Sequence, residues 1–283
     1  MANASVTTES YERLRPLAFA IAYRMLGSVT AAEDVVQEAF LRLHRTGGVE
    51  HPRAFLTTVT TRLAIDELRS AKARRETYPG PWLPEPVVTG PEERDPESLS
   101  MALLVVLESL SPVERAVFLL HDVFDYGYDE IATIVGKSRD NCRQLALRAR
   151  RHVDERRPRF DPSREQRQQL AQRFFAAIGD GHVQALVDML AHDAVMYGDG
   201  GGKAAARTTP LHGAEKVARF LLGLARLGER QQLSATPAEV NGQPGAIFHN
   251  PDGTVAAAMC VDVVDGRIAA IRSVVNPDKL TAL

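Results

Sequence analysis

The chain has 283 residues, of which 45% are hydrophobic and 25% charged, with a formal net charge of −2. This length predicts two or three domains with separate cores, and we expect a cytoplasmic protein because no signal-like segment and no apolar run of membrane-spanning length is seen. The two cysteines, Cys142 and Cys260, lack metal-ligand spacing, so neither a zinc site nor a disulfide framework is indicated, and no metal or cofactor is expected.

Residues 10–75 are predicted to form helices. Thr30-Ala-Ala-Glu33 has the form of a capping box. Apolar residues follow it at helical spacing: Val35, Val36, Ala39, Phe40 and Leu43. Gly47 and Gly48 should end that helix, and Pro52 suits the first turn of the next. The second helix is predicted to bury four side chains before it runs into a basic cluster: Phe55, Leu56, Val59 and Leu63.

Residues 78–97 contain six prolines and two glycines, so a regular helix or strand is not expected there. We interpret this stretch as a linker. Tyr78, Trp82 and Leu83 are apolar or aromatic within it, which suggests that a surface covers them.

Helical patterning resumes at Ser98 and contains two helices joined at Gly136, a residue that readily takes the left-handed conformation ending a helix. Ser138 is placed to cap the second helix. Its predicted buried face is Cys142, Leu145, Ala146 and Ala149. The long polar side chains then point outward, as a helix-turn-helix requires for the major groove. A helical hairpin with a solvated basic face is the alternative.

From residue 163 the pattern changes to α+β, with helices covering one face of a curved antiparallel sheet. Helices are expected near 165–178, 182–191 and 214–227. Strands are expected at 194–198, 233–240, 246–249, 255–264 and 268–275. Asn250-Pro-Asp-Gly253 and Asp265-Gly266 read as turns between strands.

Three sets of motifs together resemble one protein family. The segment Ala-Glu-Asp-Val-Val-Gln-Glu-Ala-Phe at 32–40 resembles region 2 of extracytoplasmic-function (ECF) RNA polymerase sigma factors, and Leu-Ser-Pro-Val-Glu-Arg-Ala-Val-Phe at 110–118 resembles region 4. The linker at 78–86, Asp199-Gly-Gly-Gly-Lys203 and Asn276-Pro-Asp-Lys-Leu280 are similar to marks of the subgroup with a SnoaL-like (NTF2-like) C-terminal extension.

The resemblance implies a multidomain chain: region 2 at 1–77, a Pro-rich linker at 78–97, region 4 with its helix-turn-helix at 98–160, and an α+β SnoaL-like cone at 161–283. It also implies an alternative sigma factor that binds RNA polymerase core and promoter DNA and is not an enzyme. We expect the C-terminal domain to modulate activity in cis, and a small-molecule ligand of that domain is left open.

The resemblance assigns polymerase contact to the helix that contains Val35 and Leu43. The contact lies on the face of that helix opposite its apolar residues. The candidates are Glu33, Asp34, Gln37 and Glu38. For Glu33 and Asp34 the alternative is an interaction with the helix dipole.

The basic side of the following helix, with the turn at 46–51, resembles the part of region 2 that captures the −10 element. A separated strand calls for cationic side chains along its phosphates and a pocket for an unstacked base. The candidates are Arg62, Arg69, Lys72, Arg74 and Arg75. His44 and His51 are the nearest rings for stacking, and a solvated helix end is the alternative.

The second helix of the helix-turn-helix is expected to read the −35 element. Arg143, Gln144 and Arg148 are candidates for base edges, because arginine pairs bidentately with guanine and glutamine with adenine. Arg139 and Arg151 are expected to hold phosphates, which position the protein without specifying sequence.

The C-terminal domain carries two further expectations. Interdomain or regulatory contact is assigned to a set that includes linker residues: Tyr78, Trp82, Leu83, Asp199, Lys203, Asn276, Asp278 and Lys279. The residues that could supply an acid–base pair are Asp188, His192, Asp193, Tyr197, Asp199, His212 and Arg272. The competing interpretation of the chain is therefore a SnoaL-type enzyme or ligand sensor fused to a DNA-binding regulator.

Overall fold

The computed structural model of the chain describes residues 8–75, 77–90, 99–155 and 163–283, without the side chains of 8–10 and 71–75. It divides into two compact units. One contains Met1–Thr77 and Leu104–Arg157, and the other contains Tyr78–Leu103 and Pro158–Leu283. The linker thus belongs to the same unit as the C-terminal domain.

The first unit is all-helical. Its helices are α1 (Thr8–Leu26), α2 (Val29–Thr46), α3 (Pro52–Arg75), α5 (Pro112–Phe118), α6 (Tyr128–Val135) and α7 (Arg139–Asp154), with α4 (Met101–Leu107) leading in from the second unit. A π-helical turn, Leu119–Val123, follows α5. Helices α1, α2 and α3 pack together, and α5, α6 and α7 form a second cluster.

The α6–α7 turn has the geometry that the sequence predicts. Gly136 ends α6 with φ 67° and ψ 42°, the left-handed conformation in which a side chain would be strained. The Ser138 hydroxyl accepts the backbone N–H of Asn141 at 3.2 Å and so caps α7. The buried face of α7 consists of Cys142, Leu145, Ala146, Ala149 and Val153. The helix-turn-helix is therefore confirmed as a fold.

Two sequence predictions about the first helices are wrong. The cap of α2 is Ser28, whose hydroxyl accepts the N–H of Ala31 at 3.1 Å, so the expected box at Thr30 lies inside the helix. The buried positions of α3 between 56 and 68 are rich in threonine: Leu56, Thr57, Thr60, Thr61, Ala64, Ile65 and Leu68. Of the four predicted side chains Leu56 is buried, whereas Phe55, Val59 and Leu63 are only half-buried. The buried face is displaced because α3 packs on two sides, against α1 and α2 and against α5 and α6.

The second unit is a six-stranded sheet with three helices. The strands are β1 (Leu190–Asp199), β2 (Leu211–His212), β3 (Ser234–Val240), β4 (Gln243–His249), β5 (Val255–Val264) and β6 (Arg267–Val274), in the order β2-β1-β6-β5-β4-β3. The helices are α8 (Arg164–Gly179), α9 (Val183–Met189) and α10 (Ala214–Arg230). A short 3-10 turn, Pro277–Lys279, follows β6.

The helices cover one face of this sheet and share its core. Side chains from alternate positions of β5, Met259, Val261 and Val263, pack in the same cluster as Phe174 of α8 and Leu221 of α10. The predicted α+β cone is confirmed, but the sheet is mixed, because β1 and β6 pair in parallel. None of the helices in the described ranges is long and apolar enough to cross a membrane.

Candidate functional sites

The outward face of α7 presents its polar side chains to solvent. Arg143 and Gln144 are exposed near its N-terminal end, and Arg151 is exposed near its C-terminal end. Arg139 lies 3.6 Å from the carboxylate of Asp129 on α6. The face therefore offers one arginine–glutamine pair flanked by cations along the helix.

Arg148, like Arg139, has an ion-pair partner. Its Nε lies 3.1 Å from Oε1 of Glu114, and the same Glu114 closes the capping box of α5 with Ser111. The Arg148 side chain is still 62% exposed. Glu114 thus orients Arg148 from the adjacent helix.

Arg62, a −10 candidate, donates to the C-terminal end of α6. Its Nε bonds the carbonyl of Ile134 at 2.8 Å, and its Nη2 bonds the carbonyl of Thr133 at 2.9 Å. A cation at the C-terminus of a helix is stabilised by the last free carbonyls and the helix dipole. In this structure Arg62 therefore joins α3 to the helix-turn-helix.

A second arginine makes a contact in the opposite direction, from the α5–α7 cluster to the α1–α3 cluster. Arg115 of α5 is 1% exposed, and its Nε and Nη2 donate to the carbonyl of Arg24 near the end of α1 at 3.1 and 3.0 Å. Glu108 accepts from its Nη1. Burial lowers the pKa of Arg115 to about 9. The hydroxyls of Thr57 and Tyr126, 2.9 Å apart, add a third contact between the two helical clusters.

The remaining −10 candidates are only partly described. Arg69 bonds Asp66 at 2.9 Å across one turn of α3. The side chains of Lys72, Arg74 and Arg75 lie outside the described residues. His44 and His51 are both exposed, as a stacking role requires.

The four polymerase candidates lie on the solvent side of α2. Asp34 and Gln37 are exposed. Glu33 accepts two bonds from Arg15 of α1, at 2.5 and 2.6 Å, and Glu38 pairs with Arg42 at 2.7 Å. Glu33 and Glu38 therefore already have basic partners, whereas the side chains of Asp34 and Gln37 are exposed to solvent.

The first half of the linker is bound by a buried carboxylate, that of Asp199 at the end of β1. Its Oδ1 accepts the hydroxyl of Tyr78 at 2.6 Å and the N–H of Gly201 at 3.1 Å. Its Oδ2 accepts the N–H of Leu83 at 2.8 Å and the ammonium of Lys279 at 2.7 Å. We call these residues, with Asn276, the linker anchor.

Lys279 and Asn276 complete the linker anchor. The Lys279 ammonium also donates to the carbonyl of Leu83 at 2.6 Å and lies 4.3 Å from the ring centre of Trp82. That distance is typical of a cation–π contact. Asn276 donates to the Tyr78 hydroxyl at 3.0 Å. Burial and the bond to Asp199 raise the pKa of Tyr78, so this tyrosine stays protonated at neutral pH.

The glycines after Asp199 let the linker approach. Gly201 and Gly202 have φ values of 57° and 72°, and a side chain at Gly201 would collide with the Asn276 amide. At Gly202 it would lie 2.9 Å from the ring of Pro79. Lys203 and Asp278 pair at 2.5 Å on the exposed side of this contact. The glycine-rich motif is thus a surface fitted to the linker.

A second linker contact, missed by the sequence analysis, lies at the β3–β4 turn. Asn241 has φ 53° and is fully buried, and its side chain accepts the N–H of Val87 at 3.0 Å. Thr89 donates its N–H to the carbonyl of Glu239 at 2.9 Å. The dipeptide Asn241-Gly242 is a hairpin signal that could have located the turn. Nothing in it identifies the linker as its partner.

The proposed acid–base residues have different surroundings. His192, Asp193 and His212 are exposed, and Asp188 accepts a bond from Gln184 on its own helix at 2.9 Å. Arg272 pairs with Asp262 and lies over the ring of Tyr197. Both carboxylate oxygens of Asp199 are engaged in the linker anchor, which leaves it without the free lone pairs of a general base. Among the described residues no group of three His, Cys, Asp or Glu side chains could hold a metal ion.

Known protein families match the two helical regions, and known proteins match nearly the whole chain. Residues 10–74 match the Sigma-70 region 2 family and residues 100–153 match Sigma-70, region 4. The ECF RNA polymerase sigma factor SigJ of Mycobacterium tuberculosis is 41% identical over 96% of this chain and 92% of its own length. SigI of the same species is 32% identical over 93% of this chain and 91% of its own.

A solved structure agrees with these sequence relatives. The crystal structure of M. tuberculosis SigJ aligns with a TM-score of 0.79 and 37% identity, covering 98% of this chain and 99% of that one. The alignment thus extends through the C-terminal α+β domain as well as the helical modules. The chain therefore belongs to the ECF family of RNA polymerase sigma factors, alternative sigma factors that bind RNA polymerase core and promoter DNA and direct transcription initiation.

Proposed function

We propose that this sigma factor reads the −35 element with the exposed face of α7, and that its C-terminal domain regulates it in cis by holding the linker. The observation that carries the second part is the linker anchor. Its central carboxylate, Asp199, accepts from Tyr78 and Leu83 of the linker and from Lys279 at the other end of the chain.

For −35 reading, Arg143 and Gln144 supply the base contacts. Both are exposed on the N-terminal half of α7, the half that a recognition helix directs at base edges. Arg148 reads a base from the position that Glu114 gives it. Arg139 and Arg151 contact phosphates at either end and supply affinity without sequence preference.

Core binding and −10 capture belong to the first helices. Asp34 and Gln37 offer unhindered polar groups on α2, and Glu33 and Glu38 add negative charge beside them. Arg69 and the basic residues that follow it lie along the end of α3 and bind phosphates of the separated strand. Arg62 takes part only after it leaves the carbonyls of α6.

Regulation follows from the way the linker joins the two DNA-reading modules. A flexible Pro-rich connection leaves their separation open, whereas a connection bound at Tyr78–Leu83 has a shorter free length. Promoter elements lie a fixed distance apart, so the linker anchor changes how readily both modules bind at once. The linker itself occupies the polar groups of Asp199.

The test is transcription by polymerase core with the full chain, with Asp199→Asn, and with a chain lacking Asn276–Leu283. Arg219→Gln, which removes an exposed ion pair with Glu215 on α10, is the matched control. We expect both linker-anchor variants to change output from one promoter while core binding and the control stay at the full-chain level. Unchanged output in both variants would exclude cis-regulation through the linker anchor.

A further inference from the structure

We infer that Glu239 and Asn241, at the β3–β4 hairpin, are positioning residues that fasten both chain segments flanking the helix-turn-helix module. They thereby set the spacing between promoter elements that the sigma factor accepts. The inference rests on the proposed −35 role of α7. It concerns contacts separate from the linker anchor at Asp199.

The incoming segment is fastened by backbone and side-chain bonds. Asn241 exchanges two bonds with Val87, its N–H donating at 2.8 Å and its side-chain oxygen accepting at 3.0 Å. Its side-chain N–H₂ donates to the carbonyl of Leu99 at 3.1 Å. Leu99 lies two residues before α4, so this single side-chain amide bonds the chain on both sides of residues 91–98.

Thr89 reinforces the same segment. Its hydroxyl lies 3.2 Å from Oε1 of Glu239 and accepts the N–H of Gly242 at 3.0 Å. Val88 forms an antiparallel bridge with Val240, so the linker extends the edge of the sheet for a short distance. The hairpin thus binds the incoming segment as an added strand.

The outgoing segment is fastened by the same carboxylate. Arg164, the first residue of α8, donates to Oε2 of Glu239 through Nε at 3.1 Å and Nη2 at 2.6 Å. Arg164 follows α7 after only residues 155–163. The Glu239 side chain is 11% exposed and the Arg164 side chain 37% exposed, so the pair is partly shielded from water. One glutamate therefore contacts the chain before and after the helix-turn-helix.

Each segment loses its own bonds when it is released. Asn241 is fully buried, and a buried amide left without partners costs about 1–3 kcal/mol, which opposes release of the incoming segment. The partly shielded pair of Arg164 with Glu239 opposes release of the outgoing segment. A module held at both ends samples a smaller volume than one held at one end, and its effective concentration at a matching DNA element rises accordingly. Elements at other separations are reached less often.

The test compares promoters whose −10 to −35 separation is stepped by single base pairs, transcribed by polymerase core with each full-length variant. Arg164→Gln removes the outgoing contact alone, and Glu239→Ala removes it together with the contact to the Thr89 hydroxyl. Asn241→Gly removes the incoming side-chain bonds and keeps the left-handed turn, because glycine accepts that φ. Arg219→Gln on α10 is the control. Thermal unfolding shows whether each variant is folded.

We expect the wild type and control to show one sharp optimum. In the three variants, output one or two base pairs away from it should rise roughly tenfold relative to the optimum, a change within the reach of effective concentration. Glu239→Arg combined with Arg164→Glu should restore the sharp profile in part. The inference is overturned if folded variants keep the wild-type spacing profile. It is also overturned if Arg164→Gln keeps a narrow optimum and the Glu239→Arg/Arg164→Glu double variant does not restore the wild-type profile.

The base preference at the optimal spacing separates this inference from the function on which it rests. If Gln144→Ala leaves −35 preference unchanged, the role of α7 fails, whatever the spacing profile shows. If preference shifts with Gln144→Ala but spacing is insensitive to Glu239 and Asn241, only the positioning role is refuted.

Discussion

The carboxylate of Asp199 lies 2.7 Å from the ammonium of Lys279, and the two side chains are 0% and 8% exposed. The end of β1 and the turn after β6 are far apart in sequence, and both contact the linker. Desolvating two charges is unfavourable by itself, and the pair persists because Tyr78 and Leu83 satisfy the remaining hydrogen-bond capacity.

Removing either charge of that pair should destabilise the C-terminal domain. We expect Asp199→Ala or Lys279→Met to lower the free energy of unfolding by about 3–5 kcal/mol, because the surviving charge stays buried without its partner. Lys203→Met removes an exposed pair and should cost only about 0–1 kcal/mol. Urea unfolding of the full chain measures both, and equal small losses would show that the buried pair has no structural role.

If α7 recognises bases, substitutions on it should have two different effects on DNA binding. Arg143→Lys or Gln144→Ala should change −35 preference by about 1–3 kcal/mol for each lost bidentate contact. Arg151→Ala should weaken all sequences by a similar factor, because a phosphate contact carries no sequence information. Competition titrations of the holoenzyme against −35 variants measure this. A uniform loss from Gln144→Ala would mean that the helix is oriented differently on DNA.

The contact of Arg62 with α6 predicts a local change in stability. Arg62→Ala removes the donor to the carbonyls of Thr133 and Ile134, so the last turn of α6 should open more often. Amide hydrogen exchange in α6 should accelerate by roughly tenfold, the equivalent of about 1.4 kcal/mol. Exchange in α10, which belongs to the other unit, serves as the control. Unchanged exchange in α6 would show that Arg62 does not stabilise that helix.

Local sequence rules predicted the parts of the fold that local interactions decide. Gly136 and Ser138 specify the α6–α7 turn through backbone conformation and a cap, and the spacing of Cys142, Leu145 and Ala149 specifies the buried face. Those signals lie within a few residues of the structure they specify. The apolar linker residues also indicated a covered surface, although nothing in the linker identifies Asp199 as the group that binds it.

Other features depend on what packs against an element. The buried threonines of α3 cannot be inferred from periodicity, because α3 packs on two sides, against helices that precede it and against helices that follow much later in the chain. Arg62 has the composition of a DNA contact, yet its acceptors are carbonyls of α6. Asn241 reads only as a turn residue until the linker is seen beside it. The parallel pairing of β1 with β6 likewise requires knowledge of the sheet order.

The central claim is that this chain directs core polymerase to promoters through α7. The most direct measurement is transcription by core alone, core with the wild-type chain, and core with Arg143→Ala/Gln144→Ala, on a template library randomised at the −35 and −10 elements. We expect discrete start sites only with the wild-type chain, and the double variant should start at a different or weaker set that differs at the −35 element. Identical start sites with and without the chain, or a double variant that selects the wild-type −35 sequences, would contradict the account.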